Sequence, residues 1–146
     1  MDVVVEALDR LHITATSHRR VMVVKVMGRH AGWIALHGGI AGEADIILIP
    51  EIPFDYDKIA SVIKAREAAG YLGTVVVVAE GARPTRGEQV KRDVEGGEFR
   101  LGGIGGIMAR EIAERTGKET RCCVLGHLQR GGAPPRWIEF WRRDLE

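Results

Sequence analysis

VMVVKVMGRH, residues 21–30, is the stretch of sequence that decides the fold class of this chain. Apart from Lys25, its first seven residues are apolar and rich in valine, which is typical of a strand buried on both faces of a parallel sheet. Gly28 ends this strand, and residues 31–41 predict a helix whose small residues permit close packing. A buried strand that leads into a helix indicates the repeating unit of a parallel α/β sheet.

The same alternation of strands and helices continues on both sides of this stretch. Upstream, Val4, Leu8 and Leu11 mark the apolar face of a helix over residues 3–11, and the short polar residues 14–17 predict a turn. Downstream, the pattern predicts strands over 45–49, 74–79 and 121–125, and helices from Asp55 to the stop at Gly70 and over 104–115. The predicted fold class is therefore α/β, with an open, mostly parallel sheet and helices on both faces.

The predicted core includes side chains of the third helix and of the last strand. Ile59, Val62 and Ile63 lie on the apolar face of that helix. Cys122 and Cys123 are adjacent in the last strand, so alternation directs them to opposite faces as buried thiols. A neighbouring pair of cysteines rarely forms a relaxed disulfide, so both are expected to be reduced.

Composition places the chain among ordinary globular proteins. Of its 146 residues, 45% are hydrophobic and 28% are charged, values that exclude a wholly disordered chain. Lys and Arg number 21 against 20 Asp and Glu, and this net charge of +1 argues against a nucleic-acid partner. The apolar runs are too short to cross a membrane, and the N-terminus shows no signal peptide. Together with unpaired cysteines, these features predict a cytoplasmic protein without a membrane partner.

Charged side chains follow the predicted strands at the points where the strands end. Arg29 follows the first strand, Glu51 the second and Glu80 the third, while His127 and Arg130 follow the fourth. Ligands of parallel sheets bind outside the carboxyl ends of the strands, so these side chains are predicted to line one cleft. Arginine suits phosphate oxygens and a carboxylate accepts hydrogen bonds from hydroxyls, so the cleft suits a ligand that carries both groups.

Several of these residues also have a purely structural interpretation, which stays open at this point. Arg29 beside glycine is typical of a solvated loop arginine, and His127 of a hydrogen-bonded turn histidine. Glu51 after proline is typical of a residue that caps the loop before the next helix. The polar, glycine-rich residues 80–99 predict a long loop. The sequence contains neither a P-loop pattern nor metal-ligand spacing, and we therefore predict no metal site within the chain.

Two longer segments resemble the sugar-phosphate motifs of one enzyme family. VMGRHAGWIA, residues 26–35, is similar to the fructose-6-phosphate-binding segment of phosphofructokinases, and VLGHLQRGG, residues 124–132, is similar to their second sugar-phosphate motif. Further matching residues in the same order lie at 9–11, 17–20 and 78–81. The resemblance covers residues 3–134 and points to the bacterial branch that includes ATP- and pyrophosphate-dependent members.

The resemblance implies roles for three consecutive residues that follow the first strand. Met27, Gly28 and Arg29 would line the sugar-phosphate site. Arg29 would also neutralise charge on the transferred phosphoryl group, and this is the only catalytic role that the resemblance assigns within the chain. Phosphoryl transfer depends mostly on positioning and charge neutralisation, so such a role suits an arginine.

Further binding residues follow from the same resemblance. Glu80 would accept a hydrogen bond from a sugar hydroxyl, and His127 and Arg130 would hold the 6-phosphate. Arg20 and Arg121 would reach that phosphate from a neighbouring subunit, which implies a homo-oligomer. The implied ligand is fructose 6-phosphate.

The chain also departs from the family pattern. The family's Gly-Gly-Asp-Gly motif and its Thr-Ile-Asp segment, which supplies the catalytic aspartate, lie upstream of the matched pattern. The resemblance therefore implies that Mg²⁺ and either ATP or pyrophosphate bind in a donor-binding half, and that this chain alone binds the sugar phosphate weakly without turnover. Lys25 stands where the family commonly has glutamate.

Residues 1–134 are accordingly predicted to form a fructose-6-phosphate-binding domain, followed by a divergent tail at 135–146. Two of the three tryptophans fall in this tail, for which a frameshifted or truncated C-terminus is the preferred hypothesis and a short amphipathic helix the alternative. The expected protein partner is a further copy of the chain or the donor-binding half. Two other interpretations stay open, a non-catalytic sugar-phosphate or anion-binding module and a non-functional gene fragment.

Overall fold

Strands and helices alternate along the chain as the sequence predicts. The computed structural model describes residues 1–85 and 103–131. The elements are α1 (Asp2–Ser17), β1 (Val21–Val26), α2 (Trp33–Ala41), β2 (Ile46–Leu48), α3 (Tyr56–Ala68), β3 (Thr74–Ala79), α4 (Gly103–Thr116), β4 (Thr120–Val124) and a 3-10 helix, η1 (Gly126–Arg130). β3 coincides with its predicted range, and the other strands agree within one residue at each end. Most of the predicted loop at 80–99 and all of the predicted tail at 135–146 lie outside the described residues.

The strands form a parallel sheet in the order β2-β3-β1-β4. β1 pairs in parallel with β3 on one side and with β4 on the other, and Val21 lies opposite both Thr74 and Thr120. All carboxyl ends of the described strands therefore meet at the same edge, and all amino ends at the other. The predicted α/β fold class with a parallel sheet is confirmed.

Helices cover both faces of the sheet, and each face has its own core. α3 and α4 pack on one face, where Ile63, Met108 and Ile112 meet alternate valines of β1 and β3. α1 and α2 pack on the other face, where Val4 and Leu8 meet the remaining residues of the same strands. The valine-rich pattern of both central strands follows from this arrangement, because every position faces a layer of helices. Among the described helices, none combines the length and apolarity needed to span a membrane.

α1 extends further than its sequence predicts. The predicted turn at residues 14–17 is wrong, because the helix continues to Ser17. The Thr14 and Ser17 hydroxyls donate to helix carbonyls one turn back, so these side chains are satisfied inside the helix. Ala15 is buried, and a Cβ built on Gly73 would lie 2.5 Å from its carbonyl carbon. This close contact with the chain before β3 holds the last turn of α1 in place.

Two core assignments also differ from expectation. Ile59 and Ile63 are buried as predicted, but Val62 is 44% exposed because it lies about 100° around α3 from Ile63, beyond the narrow buried face. Cys122 and Cys123 do point to opposite faces, since each packs against a different core. Both thiols are half-buried rather than buried, because β4 is the edge strand of the described sheet.

Candidate functional site

A cavity of about 270 Å³ opens where the carboxyl ends of β1, β3 and β4 meet. Its lining combines charged and apolar side chains with backbone, contributed by Lys25, Val26, Met27, Glu80, Gly126, His127 and Arg130. Of the polar residues that the sequence places at the strand ends, the structure brings Glu80, His127 and Arg130 together in this lining. Glu80 follows β3, whereas His127 and Arg130 follow β4, so the topology of the sheet creates the cavity.

Hydrogen bonds join the chain after β1 to the chain after β3. The Glu80 amide donates to the Val26 carbonyl at 3.0 Å, and the Gly81 amide donates to the Gly28 carbonyl at 2.9 Å. A Cβ on Gly81 would lie only 1.9 Å from the Arg29 carbonyl oxygen, so this position requires glycine. Gly28 has a φ of +137°, a conformation that other residues rarely adopt. These contacts fix the backbone that carries Glu80 at the cavity wall.

Gln129 attaches η1 to the end of β1. Its side-chain oxygen accepts a hydrogen bond from the Met27 amide at 3.1 Å. This bond ties the 3-10 helix that carries His127 and Arg130 to the end of the central strand. Sequence reasoning did not single out Gln129, and the only signal for it was its place within the 124–132 segment. Both His127 and Arg130 are exposed and free to meet a ligand from the cavity side.

The cavity carries a net positive charge. Among the lining residues within 1–85 and 103–131, Glu80 is the only acidic one, and its Oε1 lies 3.9 Å from the Nζ of Lys25. Arg130 and His127 face the same space. An anion is favoured by this balance, while the Glu80 carboxylate adds an acceptor for a hydroxyl group. The arrangement thus suits a ligand with a phosphate at one end and hydroxyls at the other.

Gly28 and Arg29 lie beside the cavity rather than in its lining. Arg29 is exposed, and its backbone rather than its side chain makes the close contact with Gly81. Met27, by contrast, lines the cavity. The structure therefore brings Met27, Glu80, His127 and Arg130 together in the lining, whereas Arg29 is exposed outside it.

Arg20 and Arg121 lie together at the opposite edge of the sheet. Arg20 directly precedes β1, and Arg121 is the second residue of β4. Both residues therefore lie at the amino ends of their strands. The Glu119 Oε1 lies 3.5 Å from the Arg20 guanidinium and 2.9 Å from that of Arg121. The six-residue length of β1 separates this pair from the cavity by about 20 Å.

Glu51 has a different role from the one that its sequence context suggests. Its Oε1 accepts a hydrogen bond from the Gly32 amide at 2.9 Å, and Gly32 is the N-cap residue of α2. Glu51 therefore caps the preceding helix instead of the loop before α3. A carboxylate at this end of a helix also interacts favourably with the helix dipole.

The cavity does not suit a magnesium ion. Mg²⁺ prefers several oxygen ligands, whereas Glu80 supplies the only carboxylate in the described part of the lining, is paired with a lysine and has cationic or apolar neighbours. Within residues 1–85 and 103–131, no group of three or more His, Cys, Asp or Glu side chains could hold a metal ion.

Comparisons with known proteins point to one family. The sequence model of the phosphofructokinase family matches residues 1–137. An ATP-dependent 6-phosphofructokinase of Chloroflexus aggregans is 54% identical over 134 residues, which cover 92% of this chain and 36% of the relative. A pyrophosphate–fructose 6-phosphate 1-phosphotransferase of Streptomyces coelicolor is 54% identical over 139 residues, which cover 91% of this chain and 40% of the relative.

A solved structure gives the same result for the fold. Phosphofructokinase from Saccharomyces cerevisiae superposes with a TM-score of 0.70 at 34% identity, covering 91% of this chain and 17% of that one. The chain thus spans 36% to 40% of the length of the curated bacterial relatives described above. With a family match over residues 1–137, this chain belongs to the phosphofructokinase family.

Proposed function

We propose that this chain is the sugar-phosphate-binding part of a 6-phosphofructokinase and binds fructose 6-phosphate in the cavity at the carboxyl edge of the sheet. The convergence of Glu80, His127 and Arg130 on one cavity carries this proposal. The name of the Streptomyces coelicolor relative includes fructose 6-phosphate as its acceptor. A phosphorylated sugar has the two kinds of group that the cavity is suited to receive.

His127 and Arg130 hold the phosphate of the ligand. Both are on η1 and both line the cavity, so their nitrogen donors can reach one phosphate from the same side. Hydrogen bonds between a guanidinium and a phosphate are charge-assisted and are roughly twice as strong as neutral ones. Glu80, on the β3 side, accepts a hydrogen bond from a sugar hydroxyl. The ligand thereby bridges the ends of β3 and β4.

The complete enzyme transfers a phosphoryl group to the bound sugar phosphate. Relatives are named for both ATP and pyrophosphate as donors, so either donor fits the family. Met27 and Gly28 shape the sugar site, and the exposed Arg29 guanidinium neutralises charge on the group in transfer. Mg²⁺ and the donor bind outside this cavity, because its residues do not suit the ion. No aspartate stands among the described residues that line the cavity, so we expect this chain alone to bind the ligand without turnover.

Arg20 and Arg121 act on a neighbouring copy of the chain. Their position about 20 Å from the cavity of their own chain supports this role, because neither side chain can span that distance. A phosphate could replace Glu119 as the partner of both guanidinium groups. The functional protein is then a homo-oligomer, and its reduced cysteines suit the cytoplasm.

Calorimetric titration of the 146-residue chain with fructose 6-phosphate tests the proposed site. Replacement of Arg130 by alanine is expected to weaken binding about 10- to 100-fold, the effect of losing a hydrogen bond to a charged group. Arg10→Ala is the matched control, because Arg10 lies on the exposed face of α1 and pairs only with Glu6 among the described residues. Equal affinities of the wild type and the Arg130→Ala variant for fructose 6-phosphate would show that the cavity is not the sugar-phosphate site.

A further inference from the structure

Lys25 places a positive charge inside the central strand of the sheet. Its neighbours Val24 and Val26 are fully buried, and the Lys25 side chain itself is only 19% exposed. A lysine is rarely buried to this extent without a compensating partner, because the ammonium group loses its hydration. The sheet would gain packing from an apolar residue here, so the charge calls for a functional explanation.

The surroundings of Lys25 make its charge more costly still. Its stem packs under the start of α4, where a Cβ on Gly105 would lie 3.0 Å from the Lys25 Cβ. A Cβ on Gly103, the first residue of α4, would lie 3.7 Å from the ammonium nitrogen. The N-terminus of a helix carries a partial positive charge, which disfavours a cation at this place. A nearby anion is needed to balance the charge of the Lys25 ammonium group and the partial positive charge of the helix N-terminus.

Glu80 supplies that anion within the ligand cavity. The Lys25 Nζ lies 3.9 Å from the Glu80 Oε1, and both residues line the cavity. The Glu80 side chain is 37% exposed, so one side of its carboxylate faces the ammonium group while the residue still reaches the open space. Because the Glu80 backbone is already fixed to β1, the remaining freedom of this residue is in its side-chain torsions. Among the described residues, Lys25 is the cation that limits these side-chain torsions.

We propose that Lys25 is a positioning residue that holds the Glu80 carboxylate by one oxygen and so presents the other oxygen to a hydroxyl of the ligand. This inference rests on the proposed function and assigns a residue to the recognition of the sugar rather than of the phosphate. Lys25 then determines how well the cavity distinguishes a phosphorylated sugar from phosphate alone. A direct contact between Lys25 and the phosphate is the competing arrangement.

The ratio of two affinities separates these arrangements. Calorimetry with the 146-residue chain gives the affinity for fructose 6-phosphate and for inorganic phosphate in the wild type, Lys25→Met, Lys25→Arg and Glu80→Gln. Because Glu80 itself remains and only its positioning is lost, Lys25→Met loses part of one hydrogen bond, and its preference for the sugar phosphate falls about fivefold. Lys25→Arg keeps the charge and retains the preference within about twofold. Lys25→Gln is the second neutral variant if the methionine variant does not fold.

The double variant Lys25→Met with Glu80→Gln provides the control for net charge. It removes one positive and one negative charge, so the net charge of the cavity equals that of the wild type. If Lys25 acts through Glu80, the double variant loses no more of the sugar preference than Glu80→Gln alone, and its affinity for inorganic phosphate matches the wild type.

The possible outcomes distinguish failure of the proposed role of Lys25 from failure of the proposed function. A wild type that prefers the sugar phosphate, with an unchanged preference in Lys25→Met, overturns the role of Lys25 and leaves the proposed function intact. A double variant that binds inorganic phosphate more weakly than the wild type identifies a direct phosphate contact and also overturns the positioning role. If the wild type shows no preference for fructose 6-phosphate over inorganic phosphate, the proposed function is refuted, and the proposed role of Lys25 is refuted with it.

Discussion

Replacing Gly81 by alanine tests the contact that joins the ends of the two central strands. A Cβ at this position would lie 1.9 Å from the Arg29 carbonyl oxygen and 2.7 Å from its carbonyl carbon. Both atoms belong to the backbone, so no side-chain rotation can relieve the clash. The two chain segments must move apart, and the hydrogen bond from the Gly81 amide to the Gly28 carbonyl is lengthened or lost.

The expected loss of stability is about 2–4 kcal/mol. Inserting a methyl group into a packed contact costs about 1–3 kcal/mol, and the lost hydrogen bond adds about 1 kcal/mol. For a chain of this size, each kcal/mol lowers the melting temperature by roughly 4 °C, so a decrease of about 10 °C is expected. Glu80 is the neighbour of Gly81 and moves with it, so the affinity for fructose 6-phosphate falls as well.

Thermal unfolding followed by circular dichroism measures the first effect and calorimetric titration the second. Gly131→Ala is the matched control, because its Cβ would meet, in the part of the chain that the structure describes, only the Leu128 carbonyl oxygen at an ordinary distance of 3.7 Å, and its φ of −89° suits any residue. The control is expected to melt within about 2 °C of the wild type. A Gly81→Ala variant that melts and binds as the control does would refute the account of this contact.

Two further measurements test the core and the thiols. Ile63→Ala is expected to lower the free energy of unfolding by about 2–5 kcal/mol in urea titrations, because Ile63 is fully buried. Val62→Ala on the same helix is expected to lower it by less than about 1 kcal/mol. Similar losses for the two variants would contradict the assigned face of α3. Burial raises the pKa of the Cys122 and Cys123 thiols, so both are mainly protonated at pH 8. We therefore expect both to react with iodoacetamide more slowly than free cysteine, at a rate that rises with pH. Labelling at the rate of free cysteine would show that the thiols are not buried.

The parallel sheet was predictable because its signal is repeated along the chain. Val21–Val26 and Thr74–Ala79 are nearly continuous apolar runs, and a helix is the next described element after each. Such runs occur where helices cover both faces, so pattern and topology agree. The end of α1 was not predictable, because the helix is extended by burial of Ala15 against Gly73, a contact between residues far apart in sequence.

The candidate site was predictable only as far as topology determines it. Glu80, His127 and Arg130 meet because they follow β3 and β4, the two strands that flank β1, and the carboxyl ends of parallel strands lie at the same edge. The contributions of Gln129 and Lys25 depend on side-chain geometry at 3.1 Å and 3.9 Å, which no spacing rule encodes. Individual hydrogen bonds and ion pairs of this kind require the packed structure.

The opposite positions of the two arginine groups have a consequence for symmetry. Each copy carries Arg20 and Arg121 at one edge of its sheet and His127 and Arg130 at the other. In a pair related by a two-fold axis, the amino edge of each copy can face the carboxyl edge of the other, because a two-fold axis makes every contact occur twice. Each copy would then complete the phosphate site of the other, so that two copies hold two complete sites and a single copy holds none.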